Sequence, residues 1–209
     1  MYAIVESNTV TKTIAYPKAL TIGDVQYPSK IFGLWSEAEL KAIGIYEIEI
    51  NHTNKKDEEY YINTNETIAY DSSADKVTSS FGSATAKAIA DSLYTQQDSD
   101  DGFLPSNKSV GDVKDEGLKT IKKRIINDQA SGILAETDWY VTKATEVTSY
   151  TVPSSVTTHR TNVRSKCNEM QTAIDNCANV EALITLYAYT EQEDGSYTRP
   201  LGQFPTLEL

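Results

Sequence analysis

Histidine, cysteine and positive charge are all scarce in this chain of 209 residues, which holds two histidines, two cysteines and 19 Lys and Arg against 30 Asp and Glu. A formal net charge of −11 opposes binding to a phosphate backbone, because counterion release needs a positive surface. Nucleic acid is therefore excluded as an expected partner. The acids are spread along the chain rather than gathered in one run, so they read as a solvated surface. His52 and His159 lie far apart, and neither has a second ligand at metal spacing, so no metal site is expected. "DSDDG" resembles the start of a calcium loop, but Gly102 falls one place early and no glutamate follows at the required offset. There is no glycine-rich phosphate loop, Walker lysine, nucleophile elbow or Cys-His pair. The expectation is a chain without catalytic, cofactor-binding or metal-binding residues, not an enzyme. No cofactor is implied.

Long apolar runs are missing as well. The opening "MYAIVESNTVTKTIAY" has no basic region followed by an apolar stretch, and no later run approaches a membrane span, so neither export nor a membrane is expected. Cys167 and Cys177 are ten residues apart on one predicted helix, about 15 Å at 1.5 Å per residue. That is too far for a disulfide within the helix, and reduced, buried thiols follow. "NHT", "NET" and "NKS" match the glycosylation triplet but carry no weight without an export signal.

What is present is enough apolar material, 39% of residues, to bury a core in one or two domains. "YAIVE", "TKTIAY" and "DVQYP" read as short strands separated by turn formers. "WSEAELKAIGI" reads as a helix, with Ser36 and Glu39 forming a capping box and Gly44 as the stop. "IYEIEI" alternates, placing Tyr46, Ile48 and Ile50 on one face, while "EYYINT" and "ETIAY" have the spacing of a hairpin across "NTNE". In the Ser- and Asp-rich stretch that follows, "SATAKAIADSLYTQQ" can form a helix capped by Ser83, with Ala88, Ile89, Leu93 and Tyr94 on its apolar side.

From Asp112 the period becomes helical. Leu118, Ile121, Ile125 and Ile126 mark an amphipathic helix, and "ETDWYVTKATEV" restarts a second one with Thr137 or Asp138 as its cap. Beyond "TVP", residues Val156, Val163, Cys167, Met170, Ile174 and Cys177 follow a seven-residue repeat that Arg160 interrupts. This stripe fits a seam within the chain better than a seam between copies, being short for an independent coiled coil. A last helix, "VEALITLY", follows Asn179, and a hairpin turns at Asp194-Gly195. The expected helical core comprises Ile121, Ile125, Trp139, Val163, Met170, Ile174 and Leu183. The expected fold class is α+β: a β-rich module over 1–70, a Ser/Asp-rich connector with one helix over 71–111, a helical bundle over 112–190 and a terminal hairpin or tail over 191–209.

"YPSKIFGLWSEAELKAIGI" resembles the N-terminal module of small bacteriophage tail proteins of the tail-fibre assembly or adaptor type, where a Tyr-Pro segment leads into a tryptophan-containing helix. The second half is similar in the same way, through "TDWYV", a "VP" turn, "VTTHRTNVRS" and "NVEALITLY", while residues 51–109 match only loosely. The resemblance implies a tail-associated structural or adaptor protein that works by binding other tail or fibre proteins. It would be made in the host cytoplasm and carried in the virion. The alternatives are a fibre-assembly chaperone not retained in the particle and an acidic inhibitor of a host protein. Aromatic residues anchor protein interfaces, so Trp35 and Tyr27 are the expected partner-binding residues, and self-association is left open.

Overall fold

The computed structural model describes residues 1–207 and has an α+β architecture in two compact units, Met1–Thr85 and Ala86–Leu209. The last two residues of the expected 191–209 tail lie outside the described residues.

In the first unit, Tyr2–Glu6 (β1) and Thr9–Ile14 (β2) form a hairpin through Ser7 and Asn8, both at positive φ. Leu20–Ile22 (β3) and Val25–Tyr27 (β4) form a second hairpin. The chain then makes two short helices, Ile31–Leu34 (α1) and Glu37–Ala42 (α2), before Ile45–Asn51 (β5). Tyr61–Ile62 (β6), Thr67–Asp71 (β7), Lys76–Ser80 (β8) and Thr85–Ala86 (β9) follow. Five strands make one sheet in the order β2-β1-β5-β8-β7, antiparallel except for the β5–β8 pair.

A register shift between Ile4 and Val5 adds twist to the first hairpin, and the edge strands β2 and β7 approach each other, so the sheet curls. Alternation then gives each strand two jobs. Ala3, Tyr46, Ile48 and Val77 are buried on one face with Val5, Val10, Ile68 and Tyr70 beside them. Ile4, Ile14 and Ile45 face the other way, against Leu20, Ile31, Phe32 and Leu40 from the second hairpin and the helices.

Gly44 joins α2 to β5 at a φ of +80°, and a Cβ there would lie 2.7 Å from the carbonyl oxygen of Val5. Its own carbonyl accepts from the Val5 amide at 2.8 Å, so only glycine fits this close approach of helix end to strand. The Ser36–Glu39 capping box forms as expected. Ile50 does not join its predicted face in the core and is 61% exposed. The expected β6–β7 hairpin does not form: β7 pairs with β8 across the turn at 71–76, where Asp71 accepts from the amides of Ser73 and Ala74 and supplies the local turn chemistry.

The second unit contains Ser92–Leu93 (β10), Gln96–Asp100 (α3), Val113–Asp115 (β11), Leu118–Ala135 (α4), Asp138–Glu146 (α5), Ser154–Asp175 (α6) and Val180–Tyr187 (α7). Thr190–Glu191 (β12) and Tyr197–Thr198 (β13) close the hairpin, with Gly195 at positive φ. The repeat read along α6 is buried, and His159 fills the place between Val156 and Val163. The stripe is covered within the chain, since α6 packs along α4. Both cysteines are buried thiols, Cys177 lying just beyond the end of α6.

The helix expected over 83–97 does not form. The amides of Leu118 and Lys119, at the start of α4, donate to the carbonyls of Ala88 and Ile89, while Asp91 accepts from the Gly117 amide and the Thr120 hydroxyl. Gly117 has no side chain with which to cap the helix, so this extended segment satisfies its first donors instead. Leu93, expected on an apolar helix face, is half exposed in β10, which pairs with β11. Residues 96–111 are also tied down: Thr95 and Asp98 form a capping box, and the Gly111 and Asp112 backbone bonds to Tyr94.

Two expected core residues face solvent. Ile125 is 40% and Trp139 51% exposed. The buried line of α4 is Leu118, Lys122, Ile126 and Ala130, a four-residue spacing that the lysine at 122 obscures in the sequence. Lys122 keeps its stem inside by laying its ammonium 4.6 Å from the centre of the Tyr187 ring. Thr137 occupies the first cap position of α5 without capping it, its hydroxyl donating back to the Leu134 carbonyl.

A Cβ at position 117 would lie 2.3 Å from the Ala90 carbonyl carbon, a clash with backbone that cannot swing away. Gly117→Ala is expected to destabilise the second unit by about 3 kcal/mol or more, and Asp91→Ala by about 1 kcal/mol, in denaturant titrations. A near-silent Gly117→Ala would contradict the close approach of residues 88–91 to α4.

Candidate functional site

The two residues expected to bind a partner lie side by side. Tyr27 ends β4, and Pro28 then starts the turn into α1 by accepting from the Ile31 amide. Trp35 closes α1 in extended backbone, its amide bonded to the Ile31 carbonyl at 2.9 Å, and Ser36 immediately caps α2. The tryptophan is thus held from both sides by helix ends. Its ring meets Tyr27 edge-on, with centroids 5.9 Å apart and planes at 82°. Both are half-buried against the Ile4–Ile45 cluster. Val25, two residues before Tyr27 on the same strand, and Leu34, next to Trp35, are 52% and 73% exposed. The aromatic pair is thus held in a fixed edge-on contact, with an exposed apolar residue close to each ring in sequence.

A second constellation in this unit was not legible in the sequence. The Tyr46 and Tyr70 hydroxyls both donate to Oδ1 of Asp75 at 2.9 Å. The Lys41 ammonium donates to the Asp75 carbonyl at 2.7 Å and pairs with Glu37 at 2.9 Å. Asp75 sits at a φ of +48°, which its side-chain bonds help to hold. The Tyr70 hydroxyl, burial and the Asp75 carboxylate push the Tyr46 phenol well above its ordinary value. The two phenols, with Lys41, hold the Asp75 carboxyl below the usual carboxylate range. Glu37, Glu47, Glu49 and Lys76 complete the rim of a cleft of about 380 Å³ beside it. The two phenols and Lys41 are spent on Asp75 and Glu37, Lys76 pairs with Glu49 at 2.6 Å, and the arrangement clamps the β7–β8 turn to α2.

In the second unit, a cleft of about 520 Å³ runs between α4 and α6. Arg160, which interrupts the repeat, lies at its edge and is committed to the protein: it donates to the Leu134 carbonyl and the Thr137 hydroxyl and pairs with Asp138 at 2.8 Å. It pins the start of α5 to α6. Also lining the cleft, Asn127 accepts from the Cys167 thiol and the Gln171 amide. Asp98 of "DSDDG" caps α3 and pairs with Lys114, which holds its carboxyl well below the usual range. No group of three or more His, Cys, Asp or Glu among the described residues is placed to hold a metal ion. No described helix is long and apolar enough to cross a membrane. Comparison with family models, curated proteins and solved structures finds no match.

The raised Tyr46 value sets a sign for alkaline stability. A phenol whose pKa is higher in the folded than in the unfolded chain contributes stability in full below the unfolded value, about 10, and loses it as pH rises toward the folded one. Urea titrations at about pH 9 and about pH 11 are expected to show a larger alkaline loss for the native chain than for Tyr46→Phe. Equal losses would contradict the Tyr46–Asp75 bond.

Proposed function

We propose that the chain is a bacteriophage tail-associated structural or adaptor protein, a virion component at the tail or tail fibre that acts by binding other tail or fibre proteins. The observation that carries this reading is the Tyr27–Trp35 pair, fixed edge-on between hairpin and helices and continued by exposed Val25 and Leu34. A half-buried tryptophan braced by a tyrosine anchors partners well, because little side-chain freedom remains to be lost on docking. The resemblance of "YPSKIFGLWSEAELKAIGI" to small phage tail proteins spans the same residues, from the Tyr-Pro turn through the capping box to Gly44. A net charge of −11 supports protein rather than nucleic acid as the partner, and the reading involves neither membrane nor cofactor. Synthesis in the host cytoplasm followed by incorporation into the tail belongs to the same proposal.

Leu34→Asp places a charge next to Trp35 in sequence at a residue that is 73% exposed, so its cost to folding is expected to stay within about 0.5 kcal/mol. Trp35→Ala removes the anchor and is expected to weaken capture of the tail or fibre partner by about 2 kcal/mol or more, roughly 30-fold. Both variants should fail to co-purify with tail proteins from infected cells while Leu34→Asp keeps its melting temperature. Retention of Leu34→Asp in those complexes would remove the surface from the interface.

A further inference from the structure

The polar side chains lining the cleft between α4 and α6 have their acceptors used and their donors largely unused. Oδ1 of Asn127 already accepts twice, the Leu134 carbonyl accepts from Arg160 and Thr137, and the Asp138 carboxylate is paired with Arg160. Arg164 makes a single bond, from Nη1 to the Arg160 carbonyl one turn back at 3.3 Å. Although the chain holds 30 Asp and Glu, Arg164 pairs with no carboxylate among the described residues. Nδ2 of Asn127, the Asn168 side-chain amide and the Ser131 hydroxyl likewise have no partner among the described residues.

These donors come from both walls. The two helices run antiparallel, since Asn127 meets Cys167 and Gln171 while Leu134, further along α4, meets Arg160, earlier on α6. Interpolating along that pairing puts Ser131 level with Arg164 and Asn127 level with Asn168, one helical turn apart. Ala130 and Cys167, both buried, belong to the same lining and contribute small, weakly polar surface. The charged lining is Arg160 and Arg164 against Asp138, a net +1 in a chain of net −11. At about 520 Å³ the cleft has the size of a small-molecule site.

We propose that this cleft binds a small organic carboxylate, held by Arg164 with Ser131, Asn127 and Asn168 as the neutral donors around it. An ionised carboxylate only accepts hydrogen bonds, so it matches a site whose donors remain and whose acceptors are spent. Its two oxygens also suit the planar guanidinium fork, which binds carboxylates through two parallel N–H···O bonds. Arg160 is committed elsewhere, and its contribution is to neutralise Asp138, whose charge would otherwise repel the ligand. Leu134 and Ala135 give the ligand's apolar body a surface in the same cleft. The site lies in the second unit and is independent of the reading of the Tyr27–Trp35 surface.

The test titrates the full isotope-labelled chain with hexanoate at constant ionic strength and follows side-chain amide signals by NMR, with hexanamide as the neutral counterpart. Saturable shifts of the Asn127 and Asn168 amides are expected with hexanoate and none with hexanamide. Arg164→Gln should weaken hexanoate binding about tenfold or more and keep the melting temperature, since Arg164 is exposed and makes one long bond. Asn168→Ala should weaken it about two- to tenfold, and it tests the site separately if Arg164→Gln misfolds. Absence of saturation, an equal response to hexanamide, or undiminished binding in either variant would overturn the site. Tighter binding of inorganic phosphate than of hexanoate would overturn the assignment to carboxylates. Tighter binding of a peptide ending in a free leucine carboxylate would overturn the assignment to a small acid and place the ligand at a partner's chain end.

Discussion

The first unit depends on one constraint: β1 and β5 are buried on both faces at once. Ala3 and Tyr46 point into the curl, while Ile4 and Ile45, one residue along in each strand, point into the layer of helices and hairpin. Alternation in an extended strand requires that both faces be covered by something apolar, and the sequence supplies each cover separately. One cover is the sheet's own edges, brought round by the twist of the first hairpin. The other is the run from Leu20 to Leu40, which folds over the sheet as a hairpin and two short helices. Gly44 lets the end of that cover return into β5 while its carbonyl holds Val5. The Tyr27–Trp35 surface lies on the outer side of this cover, which is why both rings are half-buried and neither is sealed.

The second unit follows from the length and continuity of α6. Its seam, whose buried residues recur every three or four positions from Val156 to Ile174, gives a face against which α4 lies. With α4 so placed, its unsatisfied amides draw in residues 88–91, and Gly117 permits the approach. Arg160 then does something other than break the seam. It reaches across to the end of α4 and the start of α5, fixing the turn through Thr137, which is almost wholly buried. What remains for α5 is a pinned beginning and no core to enter, so its aromatic residues stay at the surface.

Local chemistry was the legible part of the sequence. The Ser36–Glu39 box, the start of the last helix after Asn179, the turn at Asp194-Gly195 and the α6 repeat each depend on residues a few positions apart, and each appears in the fold. The misses have one cause in common, competition from distant residues. Residues 83–97 have the composition of a helix but serve the start of α4, with Asp91 bonded to Gly117 across 26 positions. β7 could have paired with β6, yet β8 offers it a full ladder. Lys122 hides the buried face of α4 because its apolar stem and its charge act separately, and the apolar Ile125 and Trp139 drew attention to faces that nothing covers. Of the site, the aromatic types at Tyr27 and Trp35 were readable, but their edge-on contact and the exposure of Val25 and Leu34 needed the hairpin and helices in place. The Tyr46–Tyr70–Asp75 cluster gave no signal, since its members come from three elements and only Asp75 has an unusual backbone.

Together these features describe a chain whose polar side chains are largely committed to capping helices and clamping turns. The central proposal is that the chain is a phage-tail component retained in the particle, and quantitative mass spectrometry of purified particles of the phage proposed to encode it tests that most directly. The account predicts a reproducible copy number relative to the tail proteins, unchanged through successive gradient purifications. Abundance in infected cells with loss from the purified particle would contradict it.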